Sequence, residues 1–95
     1  MFIFSLSYAA PLDEVDALLP DHLAWLNAGR EAGVLLAWGR KRPRSGGMIF
    51  ATAASREEAE ALAASDPFIK GGVATVEVIE FVASHAGAGL EALLK

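Results

Sequence analysis

The chain has no cysteine, which excludes a disulfide framework, a thiol nucleophile and a thiolate-ligated metal. It has no apolar run near the roughly 18–20 residues of a membrane span, so no membrane partner is expected. Met1-Phe2-Ile3-Phe4 is apolar but lacks the charged start and long hydrophobic core of a signal peptide. With the missing thiols, this leads us to expect a soluble, cytoplasmic protein. Only two histidines occur, His22 and His85, far apart and without clustered acids, so no metal site is expected. No serine sits in a nucleophile-elbow pattern, and the glycines lack the spacing of a phosphate-binding P-loop. No cofactor is implied.

Positive charge is also scarce. The net charge of −4 argues against nucleic-acid binding. Four of the eight cations, Arg40, Lys41, Arg42 and Arg44, fall within five residues. The remainder of the chain is therefore strongly acidic around one positive loop.

What is abundant is apolar surface. Ninety-five residues make one domain, 54% apolar and 21% charged. A domain of this size buries only about 60–65% of its unfolded surface. So apolar a composition in so short a chain points to coverage by a second copy, and we expect a homodimer.

Phe2 to Ala9 alternates with period two and predicts a first strand ended by Pro11. Asp13, Glu14 and Asp16 favour a helix start. Pro20 costs about 3 kcal/mol inside a helix, so a short helix over Leu12–Leu19 and a main helix from Pro20 to about Ala32 are expected. Gly33 ends the second. Val34–Trp38 reads as strand two, Gly39–Gly47 as a basic loop, and Met48–Ala53 as an antiparallel strand three. Ser55-Arg56-Glu57-Glu58 is a capping box opening a helix to about Ser65, broken by Asp66-Pro67. Val73–Val82 is the last strand, with a bulge allowed near Ile79-Glu80. Residues 1–83 form the domain, and 84–95 a tail with one weak helical turn.

Strand-helix-strand-strand-helix-strand is the ferredoxin-like βαββαβ order, an α+β fold with a four-stranded antiparallel sheet and two helices on one face. The other face is left bare. Phe2, Phe4, Met48, Phe50 and Phe81 would suit it to packing on a second sheet.

One residue interrupts the apolar pattern. At about 100° per residue, His22, Leu23, Trp25, Leu26 and Gly29 share one helix face, with Asp21, Asn27 and Glu31 opposite. Imidazole fills a core poorly, because both ring nitrogens need partners when buried. Either the fold satisfies His22, for instance with a backbone carbonyl, or it faces a pocket. Asp66 is the second acid-base candidate, although Asp before Pro also caps helices.

These elements and motifs resemble the YciI family, also called YCII-related domains. The likeness covers nearly the whole chain. It rests on His22-Leu23 and Trp25-Leu26 on a helix, the Gly33-Val34-Leu35-Leu36 strand, the basic loop, the Ser55–Ala64 helix and Asp66-Pro67-Phe68. The resemblance implies a dimeric ferredoxin-like α+β barrel and an active site centred on a histidine and an aspartate, here His22 and Asp66. It also implies a lyase-type elimination of the kind acting on chlorinated hydroxyquinones. The Arg40-Lys41-Arg42 cluster is more basic than the family's loop and leaves the substrate open.

A carboxylate facing one imidazole nitrogen fixes the tautomer and stabilises the imidazolium, freeing the other nitrogen to take a proton. Arg40, Arg44 and Ser45 are candidates to hold an anion, since arginine donors form a planar fork. Otherwise the loop is simply solvated. Tyr8 is a candidate to line the pocket, or else an interface tyrosine. Trp25 and Trp38 read as core or interface residues. The expected function is a small cofactor-free enzyme in which His22, oriented by Asp66, carries out elimination or isomerisation on a small anionic substrate, aromatic rings among the candidates. The alternative is a non-catalytic dimeric module that binds a small ligand or a protein.

Overall fold

The computed structural model describes residues 1–94; Lys95, the end of the expected tail, lies outside them. In chain order come β1 (Phe2–Tyr8), α1 (Leu12–Glu31), β2 (Leu35–Arg40), β3 (Gly46–Ala51), α2 (Arg56–Ala64), α3 (Pro67–Lys70) and β4 (Ala74–Glu80). A single 3-10 turn at Glu91–Leu94 follows. The sheet order β2-β3-β1-β4, antiparallel throughout, is that of a ferredoxin-like α+β fold.

β1 lies inside the sheet, and its alternation decides what is buried. Phe2, Phe4 and Leu6 turn to the helices and are buried. Phe4 stands opposite Ile49 on β3 and Val78 on β4. Phe2 and Phe4 are therefore core residues, and the expectation that they face the bare side is corrected. That side carries Ile3 paired with Phe50 and Ile79, and Ser5 paired with Met48 and Glu77. Phe81 follows β4 and is exposed.

The expected break at Pro20 does not occur. α1 runs unbroken from Leu12 to Glu31 with Pro20 inside it. The imide nitrogen cannot bond the carbonyl four residues back, but Pro20 is itself exposed. Val15 before it and Leu26 and Gly29 after it are all buried. One continuous apolar face outweighs the lost hydrogen bond. The helix closes as a Schellman motif, with Val34 N–H bonded to Gly29 C=O and Gly33 N–H to Arg30 C=O, each at 3.0 Å. Gly33 at φ 78° supplies the left-handed residue that the motif needs.

The bounds of β2, β3 and β4 all move from those expected. β2 reaches Arg40 and β3 begins at Gly46, so the basic connection shrinks to Lys41–Ser45, with a cis Arg42–Pro43 peptide. The bulge is in β2, between Leu35 and Ala37, and not in β4, which pairs with β1 in unbroken register from Tyr8–Ala74 to Phe2–Glu80. The capping box forms: Ser55 Oγ accepts from Glu58 N–H at 3.1 Å. The Glu58 carboxylate reaches back to Ala54 N–H, at 3.2 Å, one residue before the cap. Among the described residues no helix is long and apolar enough to cross a membrane.

Candidate acid-base site

The one-turn helix α3 sets the site. Pro67 takes its first position, where a missing N–H is harmless, and Asp66 caps it by accepting from Phe68 N–H at 2.9 Å. Gly72, at φ 72°, then turns the chain into β4. Asp66 is 1% exposed, so the cap is buried. The same oxygen, Oδ1, meets His22 Nδ1 at 2.7 Å. From the sequence, Asp66 could cap the helix and face the histidine together, with one carboxylate oxygen for each. In the fold a single oxygen does both.

A carboxylate has no proton to give, so Nδ1–H is the donor in this contact and Nε2 is left as the basic nitrogen. The imidazole side chain is 12% exposed. It lies flat on Phe68, centroids 3.8 Å apart and planes 7° from parallel, with Trp25 6.1 Å away on α1. Trp25 Nε1–H donates to Ser65 Oγ at 2.8 Å, and Ser65 Oγ donates to Leu62 C=O at 2.6 Å. Two side-chain bonds, His22–Asp66 and Trp25–Ser65, thus pin the α1 face to the end of α2 and the start of α3. The second oxygen of Asp66, Oδ2, has no hydrogen-bond partner among the described residues. A buried carboxylate with one bare oxygen is unfavourable by itself, which makes the Asp66 charge poor evidence for a purely stabilising role.

His22 lines a cavity of about 250 Å³ between α1 and the sheet. Its walls are mainly apolar, with Leu6, Leu19, Leu26, Ile49 and Phe68. Leu23, exposed and not packed in the helix stripe as expected, lies at its edge. Gly46 and Gly47 supply bare backbone, and at Gly46 any side chain would strike the Leu6 carbonyl oxygen. The polar contributions come from His22, Tyr8 and Arg40. Tyr8 stands edge-on to Phe68, ring centroids 6.1 Å apart.

The expected binding residues divide. Tyr8 and Arg40 line the cavity; Arg44 and Ser45 do not. Ser45 is exposed and contributes its main-chain carbonyl to Tyr8 N–H at 2.8 Å. Arg44 leans over the Tyr8 ring, 5.8 Å from its centroid, and bonds the Asp16 carboxylate on α1. That bond holds the Asp16 carboxyl below the ordinary carboxylate range, and keeps Arg44 firmly protonated. Trp38, expected in the core or an interface, lines the cavity as well. The described residues contain no cluster of three or more His, Cys, Asp or Glu that could hold a metal.

Sequence reasoning missed Phe68 as the surface on which the imidazole rests, and Asp16 as the partner of Arg44. Phe68 was visible as the third residue of Asp66-Pro67-Phe68. Nothing in the sequence connects Asp16 to a residue 28 positions away.

A family description, the YCII-related domain, matches residues 1–82. Among solved structures, one similar chain is the 5-chloro-2-hydroxyhydroquinone dehydrochlorinase of Burkholderia phenoliruptrix AC1100, in complex with 2,5-dihydroxybenzoquinone. It is 19% identical, with a TM-score of 0.70 over 85% of this chain and 93% of that one. No curated protein matches.

Proposed function

From the premise that this chain belongs to the YCII-related domain family, we propose that it is a small acid-base enzyme in which His22 is the base and Asp66 its orienting partner. The observation that carries this reading is the 2.7 Å contact of His22 Nδ1 with Asp66 Oδ1, beside a cavity that His22 itself lines. A histidine bonded only to main chain, with no cavity beside it, would have favoured a binding module.

The chemistry follows from the tautomer. Nε2 takes a proton from the substrate, and the imidazolium that forms is stabilised through Nδ1–H by the Asp66 carboxylate. The electron pair left on the substrate either expels a leaving group or shifts a double bond. The proton then returns from Nε2 to product or solvent. Positioned base catalysis of this kind contributes roughly 10²–10⁴-fold, which suits a substrate already activated by a carbonyl or a quinonoid ring. A cavity of roughly 150 Å³ admits benzene, so about 250 Å³ accommodates a substituted single ring. Arg40 favours an anionic substituent. The similar dehydrochlorinase, crystallised with a dihydroxybenzoquinone, supports this substrate class.

The test is to offer chlorinated hydroxyquinols and enolisable keto acids, and to follow halide release and solvent-proton exchange by NMR. Turnover by the native protein with loss in His22→Gln is expected. Equal rates in the two proteins would remove His22 from the mechanism.

We further propose that two copies pack through the open sheet face, which presents Ile3, Met48, Phe50 and Ile79 with Phe81 beside them. Apolar groups on an unpartnered face gain from mutual burial.

A further inference from the structure

The loop Lys41–Ser45 joins β2 to β3 at the rim of the cavity: Arg40 before it and Gly46 after it both line the space. Arg44, in this loop, spends one guanidinium nitrogen, Nη2, on Asp16 Oδ1. The adjacent Nε–H is shielded from solvent and has no acceptor among the described residues. Nε and Nη2 form one edge of the guanidinium, an edge that can grip both oxygens of a planar anion. Here that edge is half used. Asp16 also feels the positive charge of Arg40, which lines the cavity.

We propose that Asp16 is a built-in competitor for Arg44: the Arg44–Asp16 pair is a latch at the cavity rim, and an anionic ligand displaces Asp16 so that Arg44 joins Arg40 in holding it. The proposal rests on the reading of this cavity as the substrate site. The pair is suited to exchange because its Asp16 side is exposed, with side chains 26% accessible for Arg44 and 50% for Asp16. Exposed ion pairs are weakly held and screened by salt. The incoming anion, partly shielded by Tyr8 and the apolar walls, meets the same cation in surroundings of lower dielectric. Asp16 would thereby set which ligands enter. An anion able to pay for displacing it gains a second arginine, and a neutral ring of the same shape gains nothing.

The experiment is calorimetric titration with 2,5-dihydroxybenzoquinone as the anionic probe and hydroquinone as the neutral one. Native protein, Asp16→Asn, Arg44→Gln and the double variant are compared, with melting curves to show that each is folded. Asp16→Asn is expected to tighten anion binding roughly two- to five-fold, the scale of an exposed pair. Arg44→Gln is expected to weaken it, and the double variant to match Arg44→Gln. Hydroquinone binding should not respond to any of the three. An unchanged dissociation constant in Asp16→Asn overturns the latch alone, as does a double variant that keeps the gain. Failure of the native protein and Asp16→Asn to bind either probe overturns the latch together with the cavity reading. The His22→Gln rate comparison remains a separate test of the acid-base chemistry.

Discussion

Phe68 holds His22 in two ways at once. Its ring lies 3.8 Å from the imidazole centroid, almost parallel to it, and its backbone N–H binds the Asp66 oxygen that faces His22 Nδ1. The plane of the imidazole and the position of its carboxylate partner are therefore set by one buried residue. This is the kind of support that locks a side chain within a fraction of an ångström of a working geometry.

Replacement of His22, the proposed base, should separate rate from binding. His22→Gln is expected to lower kcat/KM by roughly 10²–10⁴-fold with little change in ligand affinity. Asp66→Asn should act in the same direction, because an amide can hold the wrong imidazole tautomer. Single-turnover rates and calorimetric affinities on the same variants check this; a large affinity loss with the rate intact would contradict it.

Truncation of the supporting ring should cost both stability and rate. Phe68→Ala is expected to destabilise the fold by about 3–5 kcal/mol, as other buried Phe-to-Ala changes do. Phe68→Leu restores most of the volume but not the flat surface under the imidazole. Urea unfolding should show it nearer to native in stability than in rate.

The Trp25–Ser65 bond predicts a fluorescent signature. In Ser65→Ala the Trp25 indole N–H loses its acceptor, at a penalty of about 1–3 kcal/mol. Tryptophan emission should shift along with the melting temperature. An unaltered melting temperature would mean that this tie between α1 and α2 is dispensable.

The Asp16 carboxyl gives a pH dependence whose sign can be worked out. Its folded value lies below the ordinary 3.8, chiefly through the hydrogen bond from Arg44. A lowered folded value stabilises above 3.8, and the contribution is lost as pH falls through that lower value. In Arg44→Gln, carboxyl-carbon NMR should show Asp16 titrating nearer to 3.8, with this acid-side loss removed. Identical Asp16 curves in both proteins would contradict the assignment.

The proposed pairing of sheets has a direct probe. Phe50→Glu places a charge among Ile3, Met48 and Ile79 on the open face, while the core beneath is untouched. Light scattering should report a dimer for the native protein and a monomer for the variant. A native monomer at high concentration would remove the interface.

Several elements could be read directly because local chemistry decides them. The period of two in β1, the Ser55 cap with Glu58 three residues on, Gly33 at a positive φ and the Asp66-Pro67 stop each involve residues that are near neighbours in the chain. Pro20 misled, because its penalty is local while the reward for continuing α1 comes from burial of Val15, Leu26 and Gly29 against the rest of the fold. Phe2 and Phe4 misled for a related reason. Alternation tells which residues share a face of a strand, but not which face the helices will cover.

The order of elements, the helix caps and the oddity of a histidine on an apolar helix face were contained in the 95 residues themselves, since they follow from periodicity and side-chain type. Packing alone decided that His22 meets Asp66 across 44 residues, that Phe68 lies under the ring, and that Arg44 turns to Asp16 instead of the cavity. Such partners are chosen by how the helices close over the sheet, and no spacing along the chain encodes that closure.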